Sequence, residues 1–472
     1  MRHGALVRWS SAVALVGLAA MSARVVAQSS APRNGATIAV DAGVRRAERA
    51  ITVTVADASR NDAASDAALR AGATVTSAAQ SAPREAVMLW GGDLVPHQEV
   101  LRSFAAKGGA SLYAPIVASL RAADLAMLNF ETPAAPSRPI PTSQMQFNVH
   151  EDFVRALAEA GIDAVSVANN HGYDAGVDAV GETVRTLRAA RVVPMGGALE
   201  NEDPLEPSRF TVLGETLCAL AATRLLNFDM VVPAAGRPRL GIARESERPE
   251  RDAFIAAVRR AKTNGCAAVL VSLHSGTEYT DEPEARDRTF FRRCAEAGAD
   301  VVIGHHSHTP HPVEQYRVPG SDRVVTIFYS LGNFLSNQGA AAEAGISNSP
   351  GNHNVNFDAR TREALLAVLR FRRPRAGVLE VSRAGWVPLW TINAPLRRRS
   401  GEAQTIQAAL MPRDGANDPL LTARWNGLVR RIGRDTLLAR EEVPAWQEAY
   451  AASDLAVTTA RAEARRPARS TR

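Results

Sequence analysis

The amino-acid sequence predicts an α/β fold in which buried sheets are covered by helices. Between residues 86 and about 395, apolar runs of strand length alternate with segments of helical periodicity. Glycine closely follows three of the helical segments, at Gly161, Gly265 and Gly298, as is common where helices end. Alternation of this kind is typical of sheets that are buried between layers of helices.

Six apolar runs are predicted as strands because each has the composition of a buried strand. Helices are predicted between them because apolar residues recur on one face. Three later strands are expected to be antiparallel. The six runs are AVMLWGG (86–92), LAMLNF (125–130), AVSVAN (164–169), AAVLVSL (267–273), DVVIGH (300–305) and VVTIFYSLG (324–332). The helices are predicted over 151–159, 177–188, 251–262 and 284–296, and the later strands over 365–371, 378–381 and 387–390.

The first 28 residues have the form of a secretory signal peptide. Arg2 and Arg8 carry positive charge, an apolar run covers 11–21, and small residues precede a cleavage point near Gln28. The alternative is an uncleaved N-terminal anchor, which would attach the protein to a membrane. Both interpretations predict a periplasmic or secreted location for the rest of the chain.

The remaining chain divides by composition into three parts. Residues 29–84 are rich in Ala, Ser, Thr and Asp and predict a low-complexity linker or extension. Residues 85–400 predict the main domain, which includes a polar loop over 339–358. Residues 401–472 predict a C-terminal helical appendage that ends in a basic tail.

Composition excludes several classes of protein. The 472 residues are 46% hydrophobic with a net charge of +6, as in a globular protein. The arginines do not alternate with aromatic residues along any stretch, so nucleic-acid binding is not predicted. Cys218, Cys266 and Cys294 form no CxxC pair, which excludes a zinc ribbon and allows at most one disulfide. The sequence also contains no GxSxG elbow, GxxxxGK[ST] loop or dinucleotide fingerprint.

Polar residues follow the apolar runs at the points where the predicted strands end. Ligands bind beyond the carboxyl ends of parallel strands, and side chains on neighbouring strand ends lie about 5 Å apart. Imidazole, carboxylate and amide groups together suit Zn, Mn or Fe and are a poor set for calcium. The residues are Asp93, Asn129, Glu131, Asn169, Asn170, His171, His274, His305, His306, His308 and Asn333.

Structural explanations remain open for several of these residues. Asp93 could cap a helix that starts near Val95, and Glu131 could be an exposed turn residue. His274 could be a hydrogen-bonded core histidine, and Asn169 is favoured as a turn former. His305 is expected to support the ligands rather than join them. The histidines predicted not to bind metal are His97, which is the least certain of them, His150, His311 and His353.

Six segments, in this order and at these distances, resemble the poly-γ-glutamate capsule synthesis protein CapA family, which is similar to the calcineurin-like metallophosphatases. The resemblance covers about 86–340 and is expected to extend to 395. It implies a metallophosphatase-like β-sandwich of mixed sheets flanked by helices, with a site for two metal ions. The segments are GGD (91–93), NFETP (129–133), SVANNHGYDAG (166–176), VSLHSGTEY (271–279), GADVVIGHHSH (298–308) and YSLGNF (329–334).

The resemblance also implies roles for individual residues. His171 matches the general acid of the superfamily, and Val95 stands where phosphatases usually carry a histidine ligand. The first metal therefore lacks one ligand unless His97 or water replaces it. The metal ligands are implied to be Asp93 for the first metal, Glu131 between the two metals, Asn170 and His274 for the second, and His306 and His308 as the closing pair.

On this hypothesis, His171 protonates the leaving group, and Asp174 or Asn169 orients its ring. Glu278 and Tyr279 are predicted to line the substrate groove. Arg286 and Arg288 could attract an acidic polymer, although a solvated helix face is the favoured interpretation for them.

Three functions are compatible with the sequence. The first is a hydrolase or transferase that uses two divalent ions (Mn, Zn or Fe) and acts on an extracellular anionic polymer such as polyglutamate. The second is an accessory subunit that binds the polymer or the capsule export machinery and has a vestigial metal site. The third is a general secreted phosphoesterase, which the absence of a histidine at Val95 disfavours.

Overall fold

The computed structural model describes residues 85–143, 145–227, 232–340, 358–374, 377–393, 403–411 and 419–465. The predicted signal peptide, the linker, His353 and the end of the basic tail lie outside the described residues. Most of the predicted 339–358 loop also lies outside them. Within the described ranges, no helix is both long enough and apolar enough to cross a membrane.

The described residues form sixteen strands and nine α-helices. The strands are β1 (Glu85–Leu94), β2 (Leu125–Phe130), β3 (Ala164–Ser166), β4 (Val193–Met195), β5 (Gly197–Ala198), β6 (Ser208–Val212), β7 (Glu215–Thr223), β8 (Arg239–Leu240), β9 (Ala268–His274), β10 (Val301–His305), β11 (Val313–Arg317), β12 (Val324–Phe328), β13 (Asn333–Leu335), β14 (Glu363–Arg372), β15 (Glu380–Ile392) and β16 (Gln407–Leu410). The helices are α1 (Gln98–Lys107), α2 (Ala110–Tyr113), α3 (Val117–Ala122), α4 (Glu151–Ala160), α5 (Val177–Ala189), α6 (Arg248–Thr263), α7 (Ala285–Ala297), α8 (Pro419–Ile432) and α9 (Trp446–Arg465).

The first large sheet has the strand order β16-β15-β14-β1-β2-β3-β4, and β13 also pairs with β1. The strands β1 to β4 are parallel, whereas β14, β15 and β16 are antiparallel, as the sequence predicts for the residues of β14 and β15. The predicted strands over 378–381 and 387–390 are parts of one strand, β15, because pairing with β14 continues across the residues between them. A strand, β16, also lies in the region predicted to be wholly helical.

The second large sheet has the strand order β11-β12-β10-β9-β7-β6, with the four inner strands parallel and the two edge strands antiparallel. Its strands β6, β7 and β11 were absent from the sequence-based prediction. The buried part of β7, LCALAAT (217–223), is rich in alanine and has little of the branched apolar character that marks a strand. A disulfide joins Cys218 on β7 to Cys266, just before β9, and Cys294 is free and buried.

The two sheets pack face to face, and helices cover their outer faces. Along β1, Met88 and Trp90 pack between the sheets, whereas Leu89 packs towards α1 to α5. Along β9, Leu270 faces the first sheet and Val271 packs with α6 and α7. Side chains thus alternate between the two faces of each strand, and both faces of each sheet are covered. The result is four layers, helix–sheet–sheet–helix. The predicted β-sandwich of mixed sheets flanked by helices is therefore confirmed.

Candidate metal centre

Glycines at the end of β1 allow that strand to place Asp93 at the edge of both sheets. A Cβ atom on Gly92 would lie 1.8 Å from the carbonyl oxygen of Gly332, so only glycine fits there. The Asp93 backbone N–H donates to the same carbonyl at 2.9 Å. The pairing of β1 with β2 shifts register just before Asp93, and such irregularities redirect side chains. Asp93 does not cap α1, because that helix begins after His97.

The Asp93 carboxylate is fully buried and has four polar neighbours. Its Oδ1 accepts a hydrogen bond from Asn129 Nδ2 at 2.9 Å, and its Oδ2 accepts one from the His306 backbone N–H at 3.1 Å. The Nδ1 atoms of His305 and His308 lie 3.2 and 3.4 Å from its oxygens. Burial opposes ionisation, but the contacts with both histidines outweigh it and hold the pKa of Asp93 well below its usual range.

Glu131 is also fully buried, so its interpretation as an exposed turn residue is wrong. Its Oε1 lies 3.6 Å from His274 Nε2 and 3.8 Å from His308 Nε2. This oxygen has no hydrogen-bond partner within the described part of the chain. Two atoms that bind one zinc-sized ion, each at about 2.1 Å, are separated by at most about 4.2 Å. Each of the two distances is therefore short enough for an ion bound by both Glu131 Oε1 and the imidazole nitrogen.

His274, Asn170 and His306 form a second group of polar residues near Glu131. The Nε2 atom of His274 lies 2.7 Å from Asn170 Oδ1, and its ring centroid lies 4.8 Å from that of His306. Burial, together with the neighbouring His306, lowers the pKa of His274 well below its usual value. Burial and the nearby His308 lower the pKa of His306 to about 3. Both imidazoles are therefore neutral, which is the form that binds metal ions.

Two sets of ligand atoms, each with its members within 4.8 Å of one another, share the Glu131 carboxylate. One set joins Glu131 to His274 and His306, and the other joins it to Asp93 and His308. Glu131 Oε1, His306 Nδ1 and His305 Nε2 are buried without hydrogen-bond partners among the described residues. Buried polar atoms left unpaired in this way are costly. The cluster is compatible with metal binding.

The charge on His308 shows where this cluster attracts a cation. Burial lowers the pKa of His308, but the carboxylates of Glu131 and Asp93 outweigh burial and raise it to about 10. A proton therefore supplies positive charge between the two carboxylates when no ion is present. Burial raises the pKa of Glu131 well above its usual value, and the charge of His308 opposes this rise.

The HSH turn holds its two histidines in an unusual backbone conformation. His306 and His308 have φ values of +95° and +57°, which only glycine adopts easily. The turn is held by the Asp93 contact to His306 and by the Tyr279 backbone N–H, which donates to the Ser307 carbonyl at 2.7 Å. Strain of this kind persists only where surrounding contacts enforce it, and it is concentrated at functional sites.

His171 lies beside the cluster and has its own set of contacts. Its Nδ1 lies 2.7 Å from Asp174 Oδ2, and its ring centroid lies 4.5 Å from that of Phe147. The Asn169 side chain donates to the Phe130 carbonyl at 2.9 Å and accepts from the His171 backbone N–H at 3.2 Å. Asn169 therefore shapes the loop, which is the interpretation favoured for it from the sequence.

Glu278 and Tyr279 lie where the cluster opens towards solvent. Glu278, with a 40% exposed side chain, has its Oε1 3.9 Å from His308 Nε2. The Tyr279 ring centroid lies 5.8 Å from that of His308, and its hydroxyl accepts from Gln338 Nε2 at 3.2 Å. Asn333 Oδ1 lies 3.0 Å from His308 Nδ1. All of these residues lie within one small region.

Arg286 and Arg288 pair with acidic neighbours, Glu284 and Glu282, on the protein surface. The favoured interpretation of these arginines as a solvated helix face agrees with this pairing.

His97 lies nearer the cluster than the sequence suggested. Its ring packs edge-on against Phe147 at 5.3 Å, and its Nδ1 accepts from the Asn337 backbone N–H at 3.4 Å. Burial, with the charges of His308 and His171, lowers the pKa of His97 to about 3. His97 belongs to neither set of ligand atoms found among the described residues.

Two residues near His171, Phe147 and Asn227, were not identified from the sequence. Asn227 Nδ2 lies 3.2 Å from His171 Nδ1, and the Phe147 ring packs at a tilt against the His171 ring. Asn227 follows β7, which was not predicted, and Phe147 lies far beyond the end of the predicted strand over 125–130, so no local signal marks them.

Two solved structures resemble the chain weakly. A hypothetical protein from Thermus thermophilus matches with a TM-score of 0.36 and 18% identity, over 64% of this chain and 98% of that chain. NAD nucleotidase (NadN) of Haemophilus influenzae matches with a TM-score of 0.38 and 10% identity, over 81% of this chain and 68% of that chain. Likenesses with TM-scores below 0.5 do not establish a shared fold.

Relatives by sequence are more informative. The PGA biosynthesis protein CapA of Bacillus subtilis is 27% identical over 256 residues, which is 52% of this chain and 62% of that protein. The capsule biosynthesis protein CapA of Bacillus anthracis is 28% identical, over 47% of this chain and 52% of that protein. A "probable polyglutamine synthesis accessory protein" of Mycobacterium tuberculosis is 28% identical, over 42% of this chain and 53% of that protein. The chain thus spans between about half and three fifths of the length of these relatives.

The family model described as bacterial capsule synthesis protein PGA_cap matches residues 87–338, which is more than half of the chain. The match contains the six sequence segments that carry the resemblance stated above, and that prediction is confirmed. The chain belongs to the PGA_cap family of bacterial capsule synthesis proteins.

Proposed function

We propose that this chain is an extracytoplasmic, metal-dependent hydrolase or transferase that acts on an anionic polymer, such as polyglutamate, during capsule synthesis. The observation that carries the proposal is the position of Glu131 Oε1. This buried oxygen lies within 4 Å of imidazole nitrogens of both His274 and His308, and no hydrogen bond from the described residues satisfies it. A carboxylate in that position suits two ions that share it.

The ligands divide between the two ions according to the two sets. Divalent ions of Mn, Zn or Fe would supply Lewis acidity and generate a nucleophile from water near neutral pH. The first ion would be held by Asp93, Glu131 and His308, and the second by Glu131, Asn170, His274 and His306.

The proton donor in this proposal is His171. Its Nδ1–H donates to Asp174 Oδ2, and this hydrogen bond leaves Nε2 to deliver a proton to the leaving group. Phe147 packs against the ring and limits its rotation. Glu278 and Tyr279 would contact the substrate because they lie between the cluster and solvent.

Two observations support a location outside the cytoplasm. The first 28 residues have the pattern of a signal peptide, and the alternative of a retained anchor leads to the same compartment. The Cys218–Cys266 disulfide suits an oxidising compartment, since disulfides are rare in reducing cytosol.

A second candidate function is that of an accessory subunit, which binds the polymer or the capsule export machinery without chemistry. The name of the Mycobacterium tuberculosis relative, an accessory protein, favours this candidate. The buried ligand set favours the enzyme, because a binding surface alone has no need of unpaired buried imidazoles and a buried carboxylate.

Metal analysis and polymer assays test the proposal together. We expect one to two divalent ions per purified chain, and loss of ions in His306→Ala with little change in the circular dichroism spectrum. His150→Ala is the matched control, because His150 lies at the start of α4 and belongs to neither ligand set. Wild-type protein should change the length distribution of added polyglutamate, and chelation should stop this change. An ion-free wild-type chain would refute the proposal, and ion-independent polymer binding without any length change would favour the accessory function.

A further inference from the structure

Asn227 connects the proposed metal centre to the proposed proton donor. It lies in the loop after β7 of the second sheet and reaches the loop after β3 of the first sheet. Its Oδ1 accepts a hydrogen bond from Asn170 Nδ2 at 2.8 Å. Its Nδ2 lies 3.2 Å from His171 Nδ1 and 3.4 Å from His171 Nε2. Its backbone N–H donates to the Asn170 carbonyl at 3.4 Å.

The first contact decides which end of the Asn170 amide faces the metal centre. An amide offers a lone pair only at its oxygen, because its nitrogen is a donor. Since Asn170 Nδ2 donates to Asn227, Asn170 Oδ1 must face the opposite way, and it lies 2.7 Å from His274 Nε2. Without Asn227, the amide loses the partner that distinguishes this orientation from the one rotated by 180°.

The second contact positions the His171 ring. Asp174 Oδ2 engages Nδ1 at 2.7 Å, and Phe147 covers one part of the ring at a centroid distance of 4.5 Å. With the Nδ1 proton directed to Asp174, the free acceptor of neutral His171 is Nε2. Asn227 Nδ2 can donate to that atom at 3.4 Å. Asn227 therefore holds the ring in its neutral form, and this contact must break when Nε2 takes up the proton that it would deliver.

We propose that Asn227 is a positioning residue that orients the Asn170 oxygen towards the second ion and holds the His171 ring beside it. This inference rests on the proposed function. One amide thereby sets the spacing between an ion ligand and the proton donor, two neighbours in sequence with different tasks. Supporting contacts of this kind typically change metal affinity by about 10- to 100-fold when they are removed.

Two substitutions separate the two contacts of Asn227. Asn227→Ala removes both, so we expect metal affinity to fall about 10-fold or more, measured by competition with a chelating dye on the full chain. Asn227→Asp keeps the acceptor for Asn170 but cannot donate to His171. Its metal affinity should stay within about threefold of wild type or increase, while polymer turnover and its pH profile change. Asn264→Ala is the matched control, because Asn264 is exposed at the end of α6.

The outcomes distinguish this inference from the function on which it rests. Wild-type metal affinity in Asn227→Ala, together with weakened affinity in Asn170→Ala, would overturn the role of Asn227 and leave the metal centre intact. An equal loss of metal affinity in Asn227→Ala and Asn227→Asp would also overturn it. The acceptor oxygen for Asn170, which Asn227→Asp keeps, would then have no effect on metal affinity. If the wild-type chain binds no ion, the proposed function and this inference fail together. Unfolding curves in chelator establish that each variant is folded.

Discussion

Replacing Glu131 by glutamine should have opposite effects on stability with and without metal ions. The Glu131 carboxylate is fully buried, and its Oε1 has no hydrogen-bond partner in the described ranges. Without ions it destabilises the folded chain, because folding must either bury its charge or keep it protonated. With ions it is the ligand common to both sets. Glutamine keeps the shape of the side chain and removes the charge.

The size of the ion-free effect follows from proton linkage. Burial raises the pKa of Glu131 above the value of 4.5 expected for an unfolded glutamate. Above pH 4.5 the folded chain therefore binds more protons than the unfolded chain, and the free energy of unfolding falls as pH rises. The loss is about 1.4 kcal/mol per pH unit while Glu131 stays protonated, so it reaches at most about 3.5 kcal/mol at pH 7.

Urea unfolding measures both effects on the full chain. In chelator at pH 7, we expect Glu131→Gln to be more stable than wild type by about 1–3 kcal/mol, and by much less at pH 5. With Mn²⁺ at about 1,000 times its Kd, wild type should gain about 4 kcal/mol, and Glu131→Gln should gain little of this. Glu159→Gln, on the exposed side of α4, is the control for loss of a carboxylate.

Two results would contradict this reasoning. If Glu131→Gln is less stable than wild type in chelator at both pH values, the carboxylate is satisfied in the ion-free chain by contacts that the structure does not show. If the variant gains as much stability from Mn²⁺ as wild type does, Glu131 is not a shared ligand.

Three further predictions concern the proton donor, the disulfide and a buried histidine. His171→Ala should lower kcat by about 10²- to 10⁴-fold with the ions retained, and unchanged turnover would reject His171 as the acid. Replacing Cys218 and Cys266 by alanine opens a loop of sequence separation 48 and should lower the free energy of unfolding by about 4 kcal/mol in urea. Burial, opposed by the Thr280 carbonyl, lowers the pKa of His311 to about 4. The unfolded chain therefore binds the extra proton below pH 6.5, and His311 alone should contribute a loss of up to about 3 kcal/mol in wild type between pH 6.5 and 4. His311→Gln should lose correspondingly less over the same range in unfolding experiments.

Some elements were visible in the sequence and others were not. The strand β9 and the helix α5 follow from apolar runs and helical periodicity, which are local properties of the chain. The strand β7 was missed, because its alanine-rich segment becomes a strand through pairing with β9 on one side and β6 on the other. The single strand β15 was predicted as two, since its pairing with β14 shifts register at Ser382 and continues through Arg383 to Gly385, which have no strand character of their own.

The sequence by itself determined which chemical groups stand at the strand ends, because strand and terminal residue are adjacent along the chain, as in LAMLNF before Glu131. Only the tertiary structure decided which of these groups meet. The packing of the two sheets brings Glu131 from the first within 4 Å of His274 from the second. The same packing brings Asn227 to His171 across 56 residues of sequence. Such contacts depend on the register and spacing of whole sheets, and no local pattern of residues encodes them.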